Sequence, residues 1–556
     1  MATLLPSAIM LGLIAHYGVN VPFWDEWSLV SFFEKAHDHA LTFRDFFVQH
    51  NEHRIVFPKL IFLLLYRFAL WTPRAAMFSS LLLATLTALG LQWLLWRTLS
   101  TIGSTSVMIV SFFLVAFLLF SPSQAENWLW GYQLPCFLLN FSLIAGVVVM
   151  CLELPLGVQF PLAASCAIIA TFSGGNGMLL WPLLWLTSFL RSRNKTRLEF
   201  FIWSCVWLAL TVGAIALYFY DYRKPTWHPP LVASHRFLDY ISYLLSFLGS
   251  ALGRHANTAS LASAIAVGAV LVAIFVLALI ALGLRWNHDR QRARAAPWLA
   301  IAGFAVLSAC LACITRIGFG PTQALSSRYT TFSILFAISL IPLVILLGQP
   351  LATKNRLLIN YLNLGLFIVI AALFATSLPF GAGKMQSAFQ ARAMGRTALT
   401  FLKSIPEKNI LETTVHPNLA YLRNVAPRAD ALHLLHPSLI GPDTLKRLMS
   451  SAPVTDSHCG AVDNIEKAGE NSYQIRGRTA PCDLHRSPDC IILSYVGRQT
   501  QRMPFTLAFP NVGHPEWNAS FLGTLIPGTD PYEIEAWAFD ISRVRVYKLA
   551  GRHPLP

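Results

Sequence analysis

Long apolar segments alternate with short polar segments through the first two-thirds of the chain. Most apolar segments are close to the ~20 residues that an α-helix needs to cross a bilayer. The pattern predicts a mainly α-helical, polytopic membrane protein. We expect eleven spanning helices, near residues 2–20, 75–96, 106–122, 133–152, 157–173, 178–190, 198–220, 259–284, 297–314, 329–348 and 357–379.

Segment 55–71 is apolar, but it contains Pro58, Lys59 and Arg67. These residues favour an interfacial or re-entrant helix. If the segment crossed the membrane, the basic loop at 191–197 would move outside the cytoplasm. Only one long span at 157–190, in place of two helices, would return that loop to the cytoplasm. The glycine-rich run 174–177 favours two helices there instead.

Basic residues in the short loops predict the orientation. If the N-terminus is cytoplasmic, Arg97 and the loops at 191–197, 285–294 and 354–356 all fall on the same side. This arrangement agrees with the positive-inside rule. The C-terminal region is then expected outside the cytoplasm.

The composition changes after residue 380. Residues 488–549 alternate apolar and polar positions between turn residues, which is typical of strands. We expect two domains: a transmembrane domain at 1–380 with a long first outer loop at 21–74, and an extracytoplasmic α+β or β-rich domain at 381–556. If that domain is oxidised, one disulfide can form among its three cysteines, which are Cys459, Cys482 and Cys490.

Composition and charge exclude several classes of protein. The 556 residues are 55% hydrophobic and 12% charged, whereas soluble domains have about 25% charged residues. The net charge of +15 reflects the basic loops, and no nucleic-acid-binding pattern accompanies it. Neither a Walker A sequence nor a Rossmann glycine motif is found, which argues against an ATPase.

Acidic residues gather in the first outer loop, where Asp25 and Glu26 follow the first predicted helix by a few residues. An acid at the membrane surface can take the proton of an acceptor hydroxyl or hold a divalent cation. Alternatively, the acids are solvated and the flanking Trp24 and Trp27 form an interfacial belt. Further along, Glu52, His53 and Arg54 are candidate substrate-binding residues, or a helix cap within a surface charge cluster.

Arginines stand at the predicted outer ends of other helices. Arg316 and Arg328 flank a glycine-containing turn, and Arg254 lies in another outer loop. Arginine can hold a phosphate with a bidentate fork; the alternative is contact with lipid headgroups. Candidate substrate-binding residues complete this set: Tyr329, and Glu126 and Asn127, which suit a sugar site or cap a helix beside an aromatic belt.

These motifs resemble integral-membrane glycosyltransferases of the GT-C class, including uncharacterised bacterial members. The resemblance lies in Val21–Trp27, directly after helix one, and in His50–Arg54. It covers about residues 1–380 and implies a polyprenyl-phosphate-linked sugar donor. It matches Asp25 to the acid that activates the acceptor hydroxyl, Glu26 to a neighbouring contact, and Arg316 and Arg328 more loosely to phosphate-binding arginines.

The resemblance implies an enzyme that transfers a hexosyl or pentosyl group, with inversion, to an envelope glycan, lipid or protein. The expected location is a bacterial inner membrane, with the reaction on its outer face. A divalent cation, Mg²⁺ or Mn²⁺, is compatible with the acids, and no other cofactor is indicated. The alternatives are a transporter or flippase of lipid-linked glycans and a non-catalytic envelope assembly protein. Inverted repeats, which are frequent in transporters, are not evident in the sequence.

Overall fold

The computed structural model describes residues 4–555 apart from several short segments. These segments are 69–70, 101, 103, 192–195, 230–235, 255–260, 285–288, 353–354, 453–459, 480–486, 498–500, 511–515, 527–531 and 552. The chain divides into two compact units. The membrane unit holds Met1–Gly18 and Asp38–Ala388, and the C-terminal unit holds Val19–His37 and Phe389–Pro556.

Helices account for most of the described residues. In chain order they are α1 (Leu4–Tyr17), α2 (Leu29–His37), α3 (Phe43–Phe47), α4 (Val56–Arg67), α5 (Pro73–Leu99), α6 (Thr105–Leu119), α7 (Ala125–Leu129), α8 (Leu134–Cys151), α9 (Leu156–Thr171), α10 (Leu180–Arg191), α11 (Arg197–Phe219), α12 (Phe237–Gly249), α13 (Leu261–Gly283), α14 (Asp289–Arg316), α15 (Ser327–Ala352), α16 (Arg356–Thr400), α17 (Lys408–Thr414), α18 (Leu419–Ala431) and α19 (Pro442–Ser450).

Each of the eleven predicted spans coincides with a helix. In the described part of the chain, eight helices are long and apolar enough to cross a membrane, and three apolar helices are shorter. The chain is thus a mainly helical membrane protein, whereas the number of crossings and their orientation stay predictions. Helices α9 and α10 are separate, since the chain turns between them at Gly175–Leu179. Helix α4 has 12 residues, fewer than a crossing requires.

Two helices of the membrane unit differ from the prediction. Helix α12 was not expected, because it has only 13 residues and carries Asp239. It lies directly against α13: a Cβ atom at Gly249 would be 2.0 Å from the Ala264 oxygen, and one at Gly268 would be 1.9 Å from the Leu245 oxygen. Glycine therefore permits the close approach of these two backbones.

Helix α16 has 45 residues and continues to Thr400, beyond the predicted end at residue 379. Good helix formers such as Ala, Gln, Met and Arg follow Pro379 and carry the helix onward. The predicted domain boundary at residue 380 falls inside α16, and so does the division between the compact units after Ala388. The units also differ from the predicted domains because Val19–His37, most of which belongs to the predicted loop 21–74, is part of the C-terminal unit.

The C-terminal unit is rich in β-structure, as predicted. Its strands form an eight-stranded antiparallel sheet in the order β1-β2-β5-β4-β3-β6-β7, with β8 also paired to β6. They are β1 (Gly460–Gly469), β2 (Ser472–Thr479), β3 (Cys490–Val496), β4 (Met503–Pro510), β5 (Glu516–Leu522), β6 (Glu533–Asp540), β7 (Arg545–Lys548) and β8 (His553–Pro554). Strands β1 and β2 were missed because their sequences are largely polar and exposed. Of the three cysteines predicted to form one disulfide, Cys459 and Cys482 lie outside the described residues.

Strand β6 shows how tertiary packing changes a simple alternating pattern. Ile534 packs on one face of the sheet, whereas Trp537 packs on the other in a cluster that includes Phe401, the residue after α16. Both faces of β6 are therefore covered, and Glu535 is fully buried. Its carboxylate accepts hydrogen bonds of 2.7 Å from Arg502 and from Lys548, which compensate for the loss of water.

Gly477 in β2 permits close packing of the sheet. A Cβ atom there would lie 2.3 Å from Trp517 Cζ2 and 2.6 Å from the Ala461 oxygen. We expect Gly477→Ala to destabilise the C-terminal unit by about 1–3 kcal/mol. Hydrogen exchange of the β1, β2 and β5 amides in the full chain measures this effect. Gly441→Ala is the matched control, since a Cβ atom there has nothing within 4 Å; equal exchange in both variants would contradict the prediction.

Candidate functional site

The predicted site residues are divided between the two compact units. Asp25 and Glu26 belong to the C-terminal unit. The other nine belong to the membrane unit: Glu52, His53, Arg54, Glu126, Asn127, Arg254, Arg316, Arg328 and Tyr329. Each group is described within its own unit.

Asp25 lies in a one-turn 3-10 helix that begins at Trp24. Glu26 is 2% exposed, and its carboxylate accepts a hydrogen bond of 2.7 Å from the Phe23 N–H. Glu26 thus stabilises this turn. Trp24 has a φ of 48°, and its N–H donates to the Val415 oxygen at 2.9 Å. A positive φ is unfavourable for tryptophan and persists where the surroundings hold it.

His416 is a neighbour of Asp25 that the sequence did not indicate. The Asn418 N–H donates to His416 Nδ1 at 3.1 Å. Burial lowers the pKa of His416, while its contact with Asn418 and the charge of Asp25 oppose this shift. Because almost four hundred residues separate Asp25 and His416, no local pattern could have predicted their interaction.

Arg54 has a structural role at the end of α11. Its guanidinium is buried and donates to the carbonyl oxygens of Phe47, Tyr218 and Tyr220. The last carbonyls of a helix lack partners within the helix, so Arg54 supplies donors to them. The side chain fixes the first outer loop to this helix end, and its donors are directed at main-chain oxygens.

His53 contacts the glycine-containing turn between α9 and α10. The Gly175 N–H donates to His53 Nδ1 at 3.2 Å, which places the proton of the neutral ring on Nε2. The Tyr218 hydroxyl donates to the Glu52 main-chain oxygen at 3.0 Å. Two separate helix ends therefore hold residues 52 and 53 in position.

The Glu52 carboxylate is the centre of a half-buried charge cluster. One oxygen accepts a hydrogen bond from Arg316 and lies 3.7 Å from His53 Nε2. The other lies 3.2 Å from His228 Nε2. The side chains of Glu52, Arg316 and His228 are 18%, 15% and 5% exposed. His228, which lies in the loop after α11, was not predicted as a site residue.

The contact between His228 and Glu52 is close but poorly aligned. His228 Nε2 lies within ion-pair distance, yet it makes no well-formed hydrogen bond with any described residue. Burial lowers the pKa of His228 below its ordinary value of 6.5, and the charge of Lys224 lowers it further. His228 is therefore neutral at neutral pH, and Arg316 supplies the positive charge next to Glu52.

Arg254 is buried, and among the described residues only one of its three side-chain nitrogen atoms has hydrogen-bond acceptors. It is 1% exposed, and Nη2 donates to the carbonyl oxygens of Leu325 and of Ser326, the latter at 3.1 Å. Its Nε and Nη1 atoms have no hydrogen-bond partner among the described residues. Burial lowers the pKa of Arg254 to about 10, although the Glu126 carboxylate opposes the shift. The guanidinium remains charged at neutral pH.

Electrostatic interactions connect Arg254 with the other two predicted arginines. Glu126 interacts with both Arg254 and Arg328. Arg328 in turn interacts with Arg316, and its Cζ atom lies 5.6 Å from the centroid of the Tyr329 ring. Arg316 ends α14, Arg328 lies in the first turn of α15, and Arg254 follows α12.

Asn127 fixes the beginning of α15. Its Nδ2 atom donates to the Arg328 oxygen at 2.9 Å and to the Thr331 hydroxyl. The neighbouring Glu126 N–H donates to the Ser327 hydroxyl at 3.3 Å. Asn127 is completely buried, so the structure assigns it a role in positioning Arg328 and Glu126.

The described side chains do not form a metal site of protein ligands. Within the part of the chain that the structure describes, no three His, Cys, Asp or Glu residues are arranged to hold a metal ion. The predicted divalent cation therefore has no set of three or more such ligands among these residues.

Comparison with protein-family models, with curated proteins and with solved structures found no match for this chain.

The role of Arg54 can be tested by changing it to glutamine. We expect Arg54→Gln to reduce the stability of the membrane unit by about 1–3 kcal/mol for each carbonyl left without a donor. Thermal unfolding of the detergent-purified protein measures this loss. Arg44→Gln is the matched control, because Arg44 lies nearby and is exposed. Unchanged stability together with lost substrate binding would instead assign Arg54 to the substrate.

Proposed function

We propose that this protein is a membrane glycosyltransferase that transfers a sugar from a polyprenyl-phosphate donor to an envelope acceptor. The observation that carries this proposal is the group formed by Arg254, Arg316 and Arg328. Together with Glu52 and Glu126, these three side chains carry a net charge of +1. A single phosphodiester of a lipid-linked sugar would balance that charge.

The incomplete hydrogen bonding of Arg254 supports an anionic ligand. A buried polar group without a partner costs about 1–3 kcal/mol, and more when it is charged. Phosphate oxygens suit the planar fork of arginine, since two parallel N–H groups can bind them. The Nε and Nη1 atoms of Arg254, which have no hydrogen-bond partner among the described residues, can therefore donate to the oxygens of a lipid-linked phosphate.

Aromatic rings beside the arginines support a ligand with an apolar tail. The Arg254 Cζ atom lies 5.6 Å from the Phe380 ring centroid, and the Tyr329 ring lies 5.2 Å from that of Phe247. A charged group at the end of a membrane helix typically marks a substrate pathway when it is buried. A phosphate carried on a polyprenyl chain has both the charge and the apolar part.

The proposed reaction is a single displacement at the anomeric carbon. The acceptor oxygen forms the new glycosidic bond as its proton passes to Asp25, the residue to which the sequence resemblance assigns this role. The bond between the anomeric carbon and the donor oxygen breaks, and the polyprenyl phosphate leaves with the bonding electron pair. A single displacement inverts the anomeric configuration.

The proposed orientation places the arginines on the outer face of a bacterial inner membrane. The basic loops support it, since Arg97 and Arg191 then lie in the cytoplasm together with the N-terminus. In this orientation the C-terminal unit is periplasmic or extracellular. A lipid-linked donor suits that compartment, because the reaction requires no nucleotide sugar there.

Asp25→Asn tests the assigned proton acceptor. We expect the rate of transfer from radiolabelled polyprenyl-phosphate sugars to fall by about 10²–10⁴-fold, the usual contribution of general-base catalysis. The wild type and the variant are compared with a membrane extract as acceptor, after thermal unfolding has shown equal stability. Equal transfer by both would remove Asp25 from this role, and a product with retained configuration would contradict the single displacement.

Arg254 variants test the phosphate site. We expect Arg254→Gln to weaken the binding of a polyprenyl phosphate by about 10- to 100-fold, because hydrogen bonds to charged groups contribute about 1.5–3 kcal/mol. Arg254→Lys keeps the positive charge but cannot make the bidentate contact, so its affinity should fall less than that of Arg254→Gln. Arg97→Gln is the control, since Arg97 pairs with Glu153 at 3.3 Å away from this group. Equal affinity in all four proteins would contradict the proposed site.

A further inference from the structure

We propose that the Glu52 carboxylate and the donor phosphate compete for Arg316, and that His228 receives Glu52 when the phosphate displaces it. This inference rests on the proposed function, since it concerns regulation of the same phosphate site. In this proposal Glu52 occupies Arg316 while no phosphate is bound, instead of contacting the sugar.

The geometry of Arg316 is the first observation behind this proposal. Its guanidinium hydrogen-bonds to Glu52, its Cζ atom lies 5.8 Å from the Trp227 ring centroid, and it interacts electrostatically with Arg328. Arg316 therefore belongs to the Glu52 cluster and also feels the charge of Arg328, which we assign to the phosphate site. A carboxylate and a phosphate present similar oxygen acceptors to the same arginine fork.

The position of His228 is the second observation. Its side chain is 95% buried, and Nε2 lies 3.2 Å from the Glu52 oxygen that Arg316 does not bind. No described residue makes a well-formed hydrogen bond with Nε2. The two atoms are already at hydrogen-bond distance, so alignment and not approach is what the pair lacks. His228 is thus placed to bind Glu52 once Arg316 has been withdrawn.

Charge determines the pH dependence of this exchange. Without ligand, burial and Lys224 lower the pKa of His228, and Arg316 neutralises Glu52. When phosphate binds Arg316, Glu52 becomes an unbalanced negative charge, with His53 as its other close neighbour. That charge raises the pKa of His228 and favours uptake of a proton. Phosphate binding should therefore strengthen as the pH falls through the range in which His228 titrates.

Glu52→Gln provides the main test, with farnesyl phosphate as the probe in detergent. A competitor that occupies Arg316 for most of the time reduces the apparent affinity by the free fraction of the site. We expect the variant to bind about 5- to 50-fold more tightly than the wild type, within the usual range of coupling between sites. Glu153→Gln is the matched control, because Glu153 is exposed and pairs with Arg97. It should bind like the wild type.

Proton uptake provides a second test that uses the wild-type protein. Calorimetry of farnesyl phosphate binding in two buffers with different ionisation enthalpies measures the protons taken up, from about pH 5 to pH 8. We expect the wild type to take up more protons than His228→Gln. Ionisation of the ligand contributes equally to both proteins, so their difference reports on His228.

The results separate this inference from the proposed function. In the first case, the wild type binds farnesyl phosphate, Glu52→Gln binds it equally or more weakly, and His228→Gln takes up as many protons as the wild type. The proposed competition between Glu52 and phosphate is then wrong, whereas the phosphate site remains. If neither the wild type nor Glu52→Gln binds farnesyl phosphate, the phosphate site fails and the inference fails with it. Inorganic phosphate in place of farnesyl phosphate shows whether the lipid tail contributes to binding.

Discussion

A positive charge removed from water requires nearby oxygens, and the buried arginines of the membrane unit meet this requirement in three different ways. Arg54 is surrounded by main-chain carbonyls at the end of α11. Arg316 binds the carboxylate of Glu52. Arg254 has two carbonyl acceptors and two nitrogen atoms without partners among the described residues. These differences separate an arginine that maintains the structure from arginines that are suited to a ligand.

The same requirement explains why the Glu52 cluster draws on so many elements. Glu52 comes from the first outer loop, His228 from the loop after α11, and Arg316 from the end of α14. A desolvated carboxylate is stable only when cationic or donor groups surround it. The Glu52 carboxylate therefore links the end of α14 with the loop after α11. In the C-terminal unit, Glu535 is held in a similar way by Arg502 and Lys548.

Much of the fold could be predicted from local patterns. Apolar segments of bilayer length gave a helix at each predicted span, and alternation between residues 488 and 549 indicated the later strands. Helix α12 is too short for that length criterion, and α16 continues past its apolar part because its later residues still favour a helix. The alternation in β6 indicated a strand, but it did not show that Phe401 and α19 pack on the second face, where Glu535 is buried.

The sequence by itself determined the membrane environment, the helical class, the β-rich C-terminal region and the set of arginines with a candidate role. These properties depend on local composition and on periodicity. Only the tertiary structure assigned Arg54 to a helix end, Glu26 to a turn and Asn127 to the start of α15, and only it brought His228 to Glu52. Contacts between residues far apart in the chain depend on how the helices pack, and no local pattern records that packing.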